Sequence, residues 1–434
     1  MIRRATRAAI LAALVVCGGV CAAAADNVAP DGTLPSGAGY RLRRDATQPA
    51  AAIALWFRAP ASGFDAPAPG LSRLAAVAIA GSTPITGTPL ARLVEGYGGR
   101  VGVSVAPDSV AVTALVPAER AAATVRAITA DYFAPVLDDA GLRAARSELG
   151  EEEVYRSFSS EALDDAVTAA LFSAGPAHDG TTATAQVLGA MPLDRLRAFA
   201  ERAFRPANAL LVLTGNVDAA LLANAASRDG APAGAEPAVA QTAAAPGTEV
   251  RRDGNVPGIG LGWLGPPIAN EAEATALDFL ADFLSARSGP VVRELGSRKA
   301  VVEAKFVTYR DPGVFLVTIT GADAQAARPV VESAVAGLAK PMPPDVFREA
   351  RAAFEYRILS QIDTPVGIAD ALGWYAVEGG PAYAPGEGGL GGRYFSAAAR
   401  LTPQSVAAVA ARWLRSPTAV VTVVRRASVS TRGA

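Results

Sequence analysis

Over most of its length this chain of 434 residues is one unit written twice. Arg44-Asp45, Pro49 and Trp56 recur as Arg252-Asp253, Pro257 and Trp263 at a nearly constant offset. Further on, Leu196, Phe199, Arg202, Phe204 and the run Ala209 to Leu213 recur as Val406, Val409, Arg412, Leu414 and Ala419 to Val423. Matched beginnings, matched ends and matched lengths define a duplicated unit. Between the copies, Ala231 to Gly247 is almost wholly Ala, Pro, Gly and small polar residues, the composition of a linker. The expected organisation is a first lobe over 37–230, a linker over 231–248 and a second lobe over 249–434.

Within each unit, strand and helix patterns alternate. Ala51 to Phe57 and Val101 to Val116 are rich in β-branched or alternating apolar residues and predict strands, the second punctuated by Pro107-Asp108. Ala118 to Tyr132, Asp139 to Tyr155 and Asp194 to Phe204 space their apolar residues as helices do, with Asp139 and Asp194 near the first turns. The second unit predicts helices near 271–286, 326–338 and 345–361, with strands near 301–309 and 313–320. Strands mixed with helix pairs imply an α+β fold of two related lobes.

Bulk properties narrow the function classes. A formal charge of −1 and a pI near 6.1 give no basic field for nucleic acid or anionic lipid. Arg3, Arg4 and Arg7, the apolar run Ala8 to Val16 and then Ala23-Ala24-Ala25 form the three-part pattern of a secretory signal over 1–25, followed by a polar leader over 26–36 expected to be flexible. Both cysteines, Cys17 and Cys21, lie in that signal. The exported chain then has no disulfide to rely on, and the bacterial periplasm is the expected compartment.

The order of several short motifs resembles the insulinase (pitrilysin) family of zinc peptidases. Gly70-Leu71-Ser72-Arg73-Leu74-Ala75-Ala76-Val77 sits where that family carries its inverted zinc motif, His-x-x-Glu-His. Leu93, Glu95, Gly98-Gly99, Asp108 and Pro117 are similar to the segment after it. Arg205-Pro206-Ala207-Asn208 and Leu213-Thr214-Gly215-Asn216-Val217 are similar to the close of the first domain, and Val292-Arg293-Glu294-Leu295 to a segment of the second. The resemblance implies two related lobes of α/β-sandwich type that form a clam-shell chamber for peptides.

At the chemical positions the pattern fails. Arg73 and Val77 stand where the resemblance implies histidines, and Ala76 where it implies the catalytic glutamate. Glu151 or Glu152 matches the remaining ligand, a relic position. One carboxylate cannot hold a catalytic zinc, which needs about three N, S or O ligands. The only histidine is His178, in the turn-rich Gly175 to Gly180, and it is read as a solvated loop residue. No metal and no other cofactor is expected. Arg73 could instead pair with a nearby glutamate or stand free at the surface. The Arg–Tyr pair that the resemblance implies for backbone binding is reduced to Arg293, because Ala300 holds the second place.

Other features read blandly. Glu148, Glu151, Glu152 and Glu153 are expected on a solvated helix face, Gly386 to Gly392 in a surface loop, and Trp374 and Tyr375 in a core. The function expected is a non-catalytic homologue that pairs with an active zinc peptidase paralogue and completes its peptide chamber. The alternative is a standalone periplasmic peptide-binding or scaffold protein.

Overall fold

The computed structural model describes residues 31–84, 87–227, 238–295, 300–321, 323–379 and 392–425. The expected signal at 1–25 and most of the glycine-rich stretch at 386–392 lie outside the described residues, as does part of the linker. Strands are numbered β1 (Gly32–Thr33), β2 (Gly39–Arg44), β3 (Ala50–Arg58), β4 (Arg100–Ala106), β5 (Ser109–Pro117), β6 (Phe172–Ala174), β7 (Ala209–Gly215), β8 (Thr242–Ala243), β9 (Thr248–Gly254), β10 (Gly258–Gly265), β11 (Val301–Val307), β12 (Gly313–Thr320) and β13 (Ala419–Arg425).

The repeat is visible in the sheets. One sheet runs β1-β2-β7-β3-β5-β4 and the other β9-β13-β10-β12-β11, the same order once the extra β1 is set aside. In both, one parallel pair, β2 with β7 or β9 with β13, is flanked by antiparallel neighbours. The fold is α+β in two lobes, each sheet lined on one face by helices of its own half. Leu71–Gly81, Ala121–Phe133 and Leu193–Ala203 build the first core, and Glu271–Ser285, Pro344–Gln361 and Pro403–Trp413 the second.

The other face of each sheet is covered by a helix from the opposite half. Helix Glu161–Ala170 places Leu163, Val167 and Leu171 against Leu316, Val421 and Val423 of the second sheet. Helix Pro365–Gly379 places Ala369 and Leu372 against Ala52, Ala54 and Val212 of the first. The sequence shapes both beds. Gly258, Gly260 and Gly262 alternate with Ile259, Leu261 and Trp263, so from 258 to 263 one face of β10 carries no side chains. A Cβ at Gly260 would come within 2.3 Å of Val167 Cγ2. Conversely, Gly373 leaves room for the Trp56 indole, whose Nε1 would sit 2.0 Å from a Cβ there.

This exchange corrects one anchor of the repeat. Trp56 faces the helix of the other half, whereas Trp263 faces its own half's core. A strand alternates sides with every residue, so a match off by one residue in register puts equivalent-looking side chains on opposite faces.

Asp139 lies in the first turn of helix Asp139–Arg156, as expected, and Asp138 caps that helix: its carboxylate accepts from Gly141 N at 2.6 Å, which holds its pKa below the usual range. The end of the leader expected to be flexible is pinned, because β1 pairs with β2 and Asp31 accepts from Arg43 Nη1 at 2.7 Å.

Candidate functional site

Helices Leu71–Gly81 and Asp139–Arg156 pack side by side and carry the positions singled out by the sequence. Most of the first helix is buried, but Arg73 and Val77, one turn apart, are only half-buried. Both therefore look out along one flank of the helix. Ala76 is fully buried, and its carbonyl accepts from Tyr132 Oη at 2.7 Å.

Opposite Arg73 stands Glu152. Arg73 Nη2 donates to Glu152 Oε1 at 2.5 Å, a charge-assisted bond. Of the two glutamates matched to the relic position, Glu152 is the one that meets this helix, while Glu151 is exposed and touches Ser147 of its own helix. The Arg73 side chain fills the space between the helices. What is left, bounded by Gly70, Leu149, Glu153 and Arg156 among others, is about 10 Å³. That is no more than one water requires. Burial raises the carboxyls of Glu148 and Glu153, and the charge of Glu152 adds to the rise at Glu148.

These residues do not fit a zinc ion. A guanidinium, always protonated and without an acceptor, occupies the space beside Glu152 between the helices. The carboxylates nearest Arg73 are Glu152, Glu148 and Glu153, and no imidazole or thiolate joins them among the described residues. Among the described residues there is no group of three or more His, Cys, Asp or Glu able to hold a metal ion.

The remaining sequence-derived residues lie apart from this pair. Arg293 is exposed on helix Pro290–Leu295 and has no side-chain partner among the described residues. His178 is exposed in the short helix Pro176–Asp179 and its Nδ1 donates to Phe172 O at 2.8 Å, a local structural bond. Trp374 and Tyr375, expected in a core, are only half-buried. They line a cavity of about 510 Å³ between the halves.

Comparison with known proteins places the architecture. Residues 190–354 match the family model described as the peptidase M16 inactive domain. A protease from Helicobacter pylori has a structure similar to this one at TM-score 0.75 and 16% identity, covering 91% of this chain and 98% of that one. A peptidase M16 inactive domain from Pseudomonas fluorescens aligns at TM-score 0.73 and 16% identity, covering 92% of this chain and 98% of that one. A chain of complex III2 from Candida albicans aligns at TM-score 0.75 and 12% identity, covering 91% and 95%. No curated protein matches the sequence. Residues 190–354 thus resemble the peptidase M16 inactive domain, and the two-lobe fold as a whole is similar to that of these solved structures.

Proposed function

We propose that this chain is a non-catalytic M16 homologue that pairs with an active zinc-bearing paralogue and helps to form its peptide-binding chamber. One observation carries the reading: the Arg73–Glu152 pair fills the place where the family resemblance puts a metal. A chain that keeps both lobes while a cation of its own replaces the ion is best explained if its surface and shape still matter. The surface beside the pair supports docking. Val154, Tyr155 and Phe158, at the end of the helix that carries Glu152, are 59%, 80% and 65% exposed. Exposed apolar groups so close together in sequence suit a protein contact. A structural relative within complex III2 is itself part of an assembly.

The second reading, a standalone peptide-binding or scaffold protein, is favoured by β4. It is the outer strand of its sheet, so one side of its backbone is free to pair with an extended peptide. Secretion to the periplasm belongs to both readings.

The test is a pull-down of the full chain from periplasmic extract, with zinc analysis and peptide-cleavage assays on the chain and on what co-purifies. Recovery of a zinc-bearing paralogue, with cleavage that needs both proteins, supports pairing. An inactive chain recovered alone moves the assignment to the second reading. Stoichiometric zinc with cleavage by the isolated chain overturns both.

A further inference from the structure

The cavity of about 510 Å³ between the halves lies in the size range of small-molecule sites. Its wall comes from both lobes: Ser104, Val105 and Ala106 of edge strand β4 on one side, helices Pro344–Gln361, Pro365–Gly379 and Gly392–Ala399 on the other. Five aromatic side chains line it. Trp56 meets Trp374 edge-on with centroids 6.4 Å apart, Tyr375 leans on Tyr394 at 5.7 Å, and Phe395 completes the wall.

The charges of the lining have one sign. Asp278 and Asp370 line the cavity, and among the described residues no Lys, Arg or His does. Asp278 is already engaged: Tyr394 Oη donates to it and Arg357 Nη2 donates at 3.0 Å from behind the wall. Asp370 has no hydrogen bond or ion pair among the described residues. It projects from the helix turn that precedes Trp374, so its carboxylate stands beside the aromatic wall unopposed. Asp370 is exposed to solvent at the cavity, and partial burial is what raises its pKa.

Aromatic faces and an unpaired carboxylate attract the same ligand, a cation with poorly hydrated apolar groups around it. Among the described residues the lining offers anions no positive charge, and a neutral apolar ligand leaves Asp370 unanswered. We propose that this cavity binds an apolar organic ammonium, its hydrocarbon against the aromatic side chains and its charge at Asp370. The site uses neither Arg73, Glu152 nor a partner protein, so it stands or falls independently of the proposed function.

Two sources share this chemistry: a free quaternary or aromatic amine, and the α-ammonium of a peptide that begins with an apolar residue. Tryptophan fluorescence of the full chain reads occupancy directly, because Trp56 and Trp374 line the cavity. The probes are benzyltrimethylammonium, its uncharged isostere neopentylbenzene, phenylalanyl-alanine amide and the N-acetylated form of that peptide. Saturable binding of a charged probe, at least about tenfold tighter than its uncharged counterpart, is expected. Asp370→Asn should bring the charged probe down to the level of the uncharged one without changing the melting temperature, because Asp370 supports no structural contact. Ser104→Phe, at an exposed lining position, should block both by filling the mouth. Preference for the quaternary probe identifies a free amine as the source, and preference for the unacetylated peptide identifies a chain terminus. No saturation up to about 5 mM, equal binding of charged and uncharged probes, or wild-type binding by Asp370→Asn would each overturn the proposal.

Discussion

Arg73 and Glu152, far apart in sequence, meet at 2.5 Å across two packed helices, and Val77 lies one turn along from Arg73 on the same flank. On the proposed reading, these three positions correspond to those of a two-histidine, one-carboxylate metal site.

The double substitution Arg73→His with Val77→His should accordingly create a zinc site with Glu152 as third ligand. About one zinc per chain is expected after dialysis, against none for the wild type. The thermal midpoint should rise with zinc and fall with chelator. Peptide cleavage should still be absent, since Ala76 supplies no general base. If the variant folds and retains no zinc, the correspondence of these helices to the family's metal site is wrong.

The exchanged helices rest on beds of glycine and alanine, so filling a bed should displace them. Gly260→Val drives a side chain toward Val167, and Gly373→Ala drives one into the Trp56 ring. Each should cost roughly 1–3 kcal/mol through overpacking, read as a lower midpoint in urea. Gly373→Ala gains about 1 kcal/mol of helix propensity in return, so its net loss should be the smaller. Unchanged stability in both would contradict the packing described.

A pH dependence follows from a buried acid pair where the halves meet. Glu378, 1% exposed at the end of helix Pro365–Gly379, lies against Asp108 of the β4–β5 turn and accepts from Ser109 Oγ at 2.8 Å. Burial, then the charge of Asp108, raises Glu378 well above the glutamate range, and burial also raises Asp108. Arg310 opposes both shifts, Arg58 stands nearby, and the Tyr309 hydroxyl is kept neutral by its own burial. A carboxyl whose pKa is raised by folding holds its proton better in the native state. Its stabilisation is present in full at acid pH and is lost as pH rises from the ordinary range, about 4, through the raised value. Melting temperature should fall over that window, and Glu378→Gln should flatten the fall. An equally steep fall in the variant would point to other groups.

Neither half should be soluble alone. Residues 37–230 expressed separately would expose Leu163, Val167 and Leu171, each representing about 1.5–3 kcal/mol of burial. Dye binding to exposed apolar surface and aggregation are expected for either half. Co-expression of 37–230 with 249–434 should restore a compact, soluble complex. Two monomeric, cooperatively melting halves would refute the exchange.

Much of the fold is legible in the sequence because most elements carry their own period. The helices read at 139–155 and 345–361 are found at Asp139–Arg156 and Pro344–Gln361, and the strand read at 313–320 is β12. Among the elements that went unread are the two exchanged helices. Glu161–Ala170 is short, and Pro365–Gly379 is interrupted by Gly367 and Gly373 and is apolar on several faces, since it lies between a sheet and a cavity wall. Tertiary packing, not local propensity, makes them helices. At the candidate site, sequence identified Arg73 and left Glu151 and Glu152 both open. Only the facing of two helices separates them, and nothing local in the chain encodes it.

The exchanged helices also set the order in which the molecule can assemble. Leu163 and Val167 leave the ribosome long before Val421 and Val423, the side chains that cover them, exist. The first half thus carries an uncovered apolar stripe until the last strand of the second is made. Strands β2 and β7, and β3 and β7, pair across long stretches of sequence, contacts of the kind that slow folding. Opening either lobe in the native protein strips a face from the other as well. Unfolding should therefore be a single concerted event, and a protease that nicks one half should find both exposed at once.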